Sequence, residues 1–323
     1  MSKKPLASLS LDLDNQWSYM KTHGDEGWES YPSYLDIVVP RALDFLAERQ
    51  LKITFFVVGQ DAAREENASA LKMIADAGHE IGNHSFNHEP WLHLYTQEEI
   101  EDELARTEDA IHAVTGKRPN GFRGPGYSLS EDVLKVLVRR NYAYDCSTFP
   151  TFLGPIARAY YFMTTRLSDE EKAQRKKLFG TMQEGFRPNK PYMWDSPDIN
   201  MLEIPVTTMP LFKIPIHASY ILFLARFSSG LAMLYFRIAL MLCRLTGVEP
   251  SILLHPLDFM TVDDVPELGF FPAMQDSLDN KLDIMSRIMT LLTNRYDVLP
   301  MGAYAAQRKH KQELPTIVPQ FNT

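Results

Sequence analysis

Three short stretches of this 323-residue chain hold residue types that together can grip a metal ion and activate water. The first is Asp12-Leu13-Asp14, closing the run Leu6–Leu13 (LASLSLDL), which alternates like a buried strand. Alternate residues on a strand point to the same side, so both carboxylates face one way. The second is His84-Ser85-Phe86-Asn87-His88. On a helical turn, imidazoles at i and i+4 also face one way and can chelate one ion. The third is His255-Pro256, directly after the apolar strand Ser251–Leu254. Each has a plainer alternative: a solvated helix face for the histidine pair, a cap or turn for the carboxylates. What joins them is position. Each sits where a predicted strand ends, and in a barrel of parallel strands those ends open onto one face.

The elements that must hold these residues are legible in outline. Helical spacing covers residues 38–49, and residues 53–58 (ITFFVV) read as a second buried strand ended by Gly59. A helix over 67–77 stops at Gly78, and 79–82 is a short strand. Thr96 with Glu99 predicts a capping box opening a helix that Gly116 closes. A strand at 121–123, a helix capped by Ser130 and a strand at 142–146 follow. After residue 150 the rhythm breaks, resuming at Ser251–Leu254, a helix over 276–296 and a late strand Asp297–Leu299. Strands alternating with helices predict βαβ units and a parallel sheet. Residues 15–34 read as a long aromatic loop whose Trp17, like Trp91 farther on, is placed to stack on a substrate. His79 reads as a structural histidine, and Asp258 as an N-cap or a support for the site.

Gly78-His79-Glu80-Ile81-Gly82-Asn83-His84-Ser85-Phe86-Asn87-His88 resembles the second motif of the polysaccharide deacetylase family, carbohydrate esterase family 4. Gly121-Phe122-Arg123-Gly124-Pro125-Gly126-Tyr127 is similar to its third motif, and Leu253-Leu254-His255 to its last. The resemblance implies an α/β fold, a distorted (β/α)7 TIM-like barrel, formed by 1–150 and 250–310. Residues 151–249 would be a mostly helical insertion or lid, and 311–323 a loose tail. It implies Asp14, His84 and His88 as ligands of one divalent metal, most commonly zinc. Asp12 would be the general base, Arg123 its orienting partner and His255 the general acid. Gly126 and Tyr127 would meet the substrate. The family's first motif has adjacent aspartates, whereas Leu13 separates them here, as in branches acting on lipid-linked amino sugars. The carboxylate that usually supports the acid histidine is missing from its motif, and Asp145 is the candidate replacement.

A net charge of −8 argues against a nucleic-acid partner, which needs a basic surface. Two cysteines make neither a disulfide framework nor a thiolate site. No apolar leader precedes Leu6, so a cytoplasmic location is expected. Residues 158–248 carry 12 basic against 7 acidic side chains, leaving the remainder at −13. Within them, 218–245 is strongly apolar. Read as one helix, it aligns Arg226, Arg237 and Arg244 in a narrow cationic stripe, suited to the inner leaflet of a membrane. A buried helix hairpin broken near Gly230 is the alternative. The leading expectation is therefore removal of an N-acetyl or N-formyl group from an amino sugar, plausibly polyprenyl-phosphate-linked, by a peripheral membrane enzyme. A cytosolic amidase acting on a ureide or cyclic amide is a second reading. A catalytically silent carbohydrate-binding relative is a third, disfavoured because Asp12, Arg123 and His255 are all present. Oligomeric state is not legible.

Overall fold

The computed structural model describes residues 4–154, 182–311 and 314–321. Arg158, Arg166, Lys172, Arg175, Lys176, Lys177, Asp169, Glu170 and Glu171 of the expected basic insertion lie outside the described residues.

Strand β1 (Leu6–Leu13) is buried along its whole length. Leu9, Leu11 and Leu13 join the main apolar cluster, while Ser10 and Asp12 between them accept hydrogen bonds from Arg123. On one side β1 pairs in parallel with β2 (Thr54–Val57), which is followed by β3 (Glu80–Asn83), β4 (Gly121–Phe122) and β5 (Tyr144–Asp145). On its other side lies β8 (Ser251–Leu254), with β9 (Asp297–Leu299) against its first residues.

Between these come β6 (Tyr192–Ser196) and β7 (Ile199–Glu203), an antiparallel hairpin. Strand β7 then runs parallel to β5. Just beyond it, Thr207 N–H donates to the Ser251 carbonyl (3.0 Å) and Ser251 N–H to Thr207 Oγ1 (2.8 Å). The curved sheet thereby closes, with β1, β2, β3, β4, β5, β7 and β8 as the parallel strands of a distorted (β/α)7 barrel. This corrects the expected boundaries: residues 151–249 contain a wall of the barrel. Alternation inside the hairpin explains it, since Tyr192, Trp194, Ile199 and Met201 all enter one apolar cluster. The expected loose tail is also corrected. Strand β10 (Thr316–Ile317) pairs with β6, and Phe321 packs on Trp194 at 5.5 Å between ring centroids.

The helix Gln97–Thr115 opens with the expected capping box and ends at Gly116, whose φ of 70° is left-handed. Its buried face includes Glu103 and Thr107 as well as Ile100 and Leu104. A Cβ at Gly59 would lie 2.4 Å from Thr107 Oγ1 and 2.9 Å from Thr107 Cα, so only glycine lets this helix approach the turn after β2 so closely. The segment 15–34, expected as a loop, begins instead with the helix Gln16–His23, N-capped by the Asn15 side chain. Segment 218–245 is two helices, Ala218–Ala225 and Ser229–Thr246, the second capped by Ser228. The break removes Arg226 from any continuous stripe, and it pairs with Asp276 at 3.3 Å.

Candidate metal centre

Strand register brings the chemistry to one level. Leu13 pairs with Val57, Val57 with Asn83, Asn83 with Phe122, and Leu11 with Leu254. Asp14, His84, Arg123 and His255 each follow one of these paired strand ends, so all four emerge at the carboxyl rim of the barrel.

Asp14, His84 and His88 offer donor atoms that all lie within 4.8 Å of one another. His84 Nε2 is 3.3 Å and His88 Nε2 3.0 Å from Asp14 Oδ1. That oxygen is buried and has no hydrogen-bond partner, which is costly unless a cation completes it. Burial alone would raise the Asp14 carboxyl, but the facing His88 and His84 imidazoles outweigh it and hold it well below the usual carboxylate range. His84 Nδ1 sits 2.6 Å from the Arg123 carbonyl, which fixes the tautomer that turns a bare Nε2 towards the centre. Two imidazole nitrogens and a carboxylate oxygen are a donor set that fits a divalent ion such as zinc.

The two histidines do not lie on a helical turn, which corrects the expected reason for their pairing. They flank an irregular loop after β3 in which Ser85 and His88 take left-handed backbone at φ 59° and 53°. Such conformations persist only where surroundings over-determine them. The Glu103 carboxylate accepts the Phe86 and Asn87 amides (2.7 and 2.9 Å), while Asn83 Oδ1 accepts that of Ser85 (2.8 Å). Gly59 N–H donates to the Ser85 carbonyl (2.8 Å) and Gln60 N–H to that of Phe86 (3.0 Å). Glu103 went unnoticed in the sequence; its one signal was a carboxylate on the apolar face of its helix. Glu103→Ala is expected to weaken metal binding by about 10–100-fold without touching a ligand. Calorimetric titration with zinc checks this, and an unchanged affinity would refute the role.

Arg123, wholly buried, donates from Nη1 to Asp12 Oδ1 (2.6 Å) and Ser10 Oγ (2.9 Å), and from Nε to the Cys146 carbonyl (3.2 Å). The guanidinium carbon lies 4.4 Å from the Phe56 ring centroid. The expected Asp12–Arg123 pair is thus present. His255 is present at the rim too, but Asp145 does not hold it. Asp145 is buried against Ser147 (2.6 Å) and Glu203, and burial beside Glu203 pushes its carboxyl up. The partner of His255 Nδ1 is Ser219 Oγ at 2.9 Å, on the first helix of the apolar segment. Asp258, also buried, takes the His255 backbone N–H (2.8 Å) and interacts with the same Ser219 hydroxyl. His217 stands beside them, its ring centroid 5.9 Å from that of His255; burial and the neighbouring His255 push it down to about 3. Neither Ser219 nor His217 stood out by type or spacing. Ser219→Ala is expected to lower kcat about tenfold, the worth of one such hydrogen bond, with KM kept and Ser219→Thr restoring the rate. Loss of KM instead, or no rescue, would refute a positioning role.

The aromatic expectations divide. Trp17 does not face a substrate: it is 1% exposed, and its Nε1 donates to Asp61 Oδ1 at 2.8 Å. Asp61, raised by burial to about 7, ties Trp17 and Asn15 beneath the Asp14 strand end. Trp91 is half-buried and engages Tyr95. Tyr127 stacks on Phe149 at 4.9 Å, and Phe149 contacts His217 at 5.8 Å, so rings run from Tyr127 to His255. Gly126 is exposed, with φ 56°. His79 is structural, as expected: its Nδ1 accepts the Ile53 N–H (3.1 Å), and burial pushes it down to about 4.

Fold and site together define a class: a parallel-stranded β/α barrel bearing a two-histidine, one-carboxylate ligand set at its carboxyl rim. Residues 25–144 match the family model described as polysaccharide deacetylase. It is 29% identical over 154 residues to a peptidoglycan deacetylase of Helicobacter pylori, covering 46% of this chain and 50% of the relative. It is 38% identical over 104 residues to the peptidoglycan-N-acetylmuramic acid deacetylase of Bacillus subtilis, covering 32% of this chain and 38% of that one. The chain thus spans half or less of the length of these relatives. A solved Mycobacterium smegmatis chain assigned to the polysaccharide deacetylases superposes with a TM-score of 0.64 at 18% identity, covering 100% of this chain and 96% of the other, and speaks for the fold. Asp12, Asp14 and His255 lie outside the matched residues, so their part in the site rests on geometry.

Proposed function

We propose that this protein hydrolyses the N-acetyl, or N-formyl, group of an amino sugar with the help of a divalent metal, zinc being the ion its donors suit best. The observation that carries the reading is the shared rim position of the Asp14–His84–His88 donor set and the Asp12–Arg123 pair. When bound, the ion supplies Lewis acidity, polarising the acyl oxygen and bringing the pKa of water towards ~7. Asp12 takes the proton from the attacking water, its carboxylate held in place by Arg123. His255 delivers a proton from Nε2 to the departing amine, its Nδ1 anchored on Ser219. The Tyr127 amide is committed to the Gly124 carbonyl (2.9 Å), so the Gly126 amide is the one to meet the acyl oxygen. The finer reading is a polyprenyl-phosphate-linked amino sugar met at the cytoplasmic face of a membrane.

The test is a substrate panel with zinc-loaded protein, read by mass spectrometry: soluble N-acetylglucosamine oligomers, a polyprenyl-phosphate-linked N-acetyl amino sugar, and a cyclic ureide. Deacylation of either amino-sugar substrate supports the reading, and preference for the lipid-linked one supports its finer form. Turnover of the ureide alone would transfer the protein to the amidases, and no turnover of any would overturn the proposal.

A further inference from the structure

The helix Ser229–Thr246 has two sharply different faces. Ala232, Met233, Phe236, Ala239, Leu240 and Cys243 are buried, and the Leu240 carbonyl takes a hydrogen bond from the Tyr296 hydroxyl at 3.2 Å. Leu231, Leu234, Ile238, Met241 and Leu245, spaced by three and four residues, are 40–75% exposed. Five large apolar side chains in one straight row on a soluble surface are a feature that calls for a partner. At the break the chain folds back, Tyr220 lying 6.0 Å from Tyr235 between ring centroids, and the exposed Phe227 and Phe223 form the corner, their rings touching at 5.5 Å. Phe223 lies one turn beyond Ser219 on the same helix, so the ridge begins where Ser219 holds His255. The exposed tip Leu211–Phe212 stands alongside, its loop tied to the helix by the Tyr235 hydroxyl on the Pro215 carbonyl (2.8 Å).

Charge decides between occupants. Arg237 and Arg244 flank the row, both exposed and without an acidic partner among the described residues, and the helix has no acidic residue. Two copies zipped along this row would set those arginines beside Tyr235 and Leu242 or against each other, with no carboxylate to pair them. An anionic lipid surface supplies what is missing, apolar depth for the leucines and negative charge for the arginines. By length and composition this helix could cross a bilayer, but its packed face and mid-helix Arg237 commit it to lying flat. We propose that this ridge, with the Phe223–Phe227 corner and the Leu211–Phe212 tip, docks the protein on an anionic lipid surface with the His255 side of the barrel mouth turned towards it. The proposal deepens the functional reading and rests on it for what the docking serves.

The experiment is vesicle flotation of the full chain. Phosphatidylglycerol-containing vesicles should carry the protein up, and phosphatidylcholine vesicles should do so far less. Leu234→Glu with Ile238→Glu should abolish flotation, and Arg237→Ser with Arg244→Ser should weaken it about thirty-fold. Both double variants should deacetylate a soluble oligomer like the wild type, since none of these residues belongs to the site. Flotation does not depend on catalysis, so a protein that floats but deacetylates nothing sinks the functional reading alone. A wild type that stays down with anionic vesicles, or a stable dimer that Leu234→Glu with Ile238→Glu dissociates, overturns the docking proposal.

Discussion

His88→Ala is expected to strip the metal and end turnover while leaving the barrel folded. Structural zinc sites with four ligands have apparent binding free energies of about 10–16 kcal/mol, so one ligand is worth roughly 3–4 kcal/mol, or about 10²–10³ in affinity. The geometry adds a reason why loss cannot be compensated nearby. His88 approaches Asp14 from a left-handed backbone position in a loop whose amides are already committed to Glu103 and Asn83. A replacement ligand that required this loop to shift would have to break those bonds. His84→Ala should act alike, with the added effect of leaving the Arg123 carbonyl without its imidazole. Metal content by plasma mass spectrometry, read beside kcat/KM on an N-acetylated oligomer, decides the matter. Chelation should lower the Tm of the wild type and leave that of His88→Ala nearly unmoved, because only the former has a native-state ligand to lose. A His88→Ala protein with full metal and full activity would remove the basis of the functional proposal.

The second large effect separates chemistry from stability at the Asp12–Arg123 pair. Asp12→Asn keeps the shape and one accepting oxygen for Arg123 but cannot take a proton. It should retain metal and lose about 10²–10⁴ in turnover, the usual worth of a positioned general base. Arg123→Met does something different. Asp12 is only 6% exposed, and removing its partner leaves a buried, unpaired carboxylate, costing about 3–5 kcal/mol of folding free energy. Removing both, as Asp12→Leu with Arg123→Met, should restore part of that stability and none of the activity. The recovery is partial because Arg123 also donates to Ser10 and to the Cys146 carbonyl. Urea denaturation of the three variants with parallel zinc titration tests both halves. If Asp12→Asn lost its metal, or Arg123→Met unfolded no more easily than the wild type, the assignment of base and orienting partner would fall.

Local pattern was enough for much of this protein. The alternation of LASLSLDL, the apolar run before His255 and the capping box at Thr96 each report a near-neighbour constraint, readable over a few residues. Because parallel strands end on one rim, those runs also indicated that Asp12, Asp14, His84, His88 and His255 belong together, whereas Arg123 entered only through the resemblance of its motif. Reading by rhythm failed where the rhythm was weak. Strands β6 and β7 follow one another with no helix between them, and β10 is two residues long.

What only the tertiary structure decided are the contacts between residues far apart in the chain. Glu103 holds the histidine loop from a helix that begins after it, and Ser219, 36 residues before His255, replaces the carboxylate expected at Asp145. Trp17 looked like a sugar platform by its type and neighbourhood, but its indole is spent on Asp61, 44 residues away. The same holds for the apolar segment 218–245: composition marked it as unusual, yet which leucines face outward depends on the break between its helices and on the face that packs. Sequence periodicity specifies which way a side chain leaves its own backbone. It carries no record of which distant backbone will be waiting there, because that pairing is set by how the closed barrel stacks its elements.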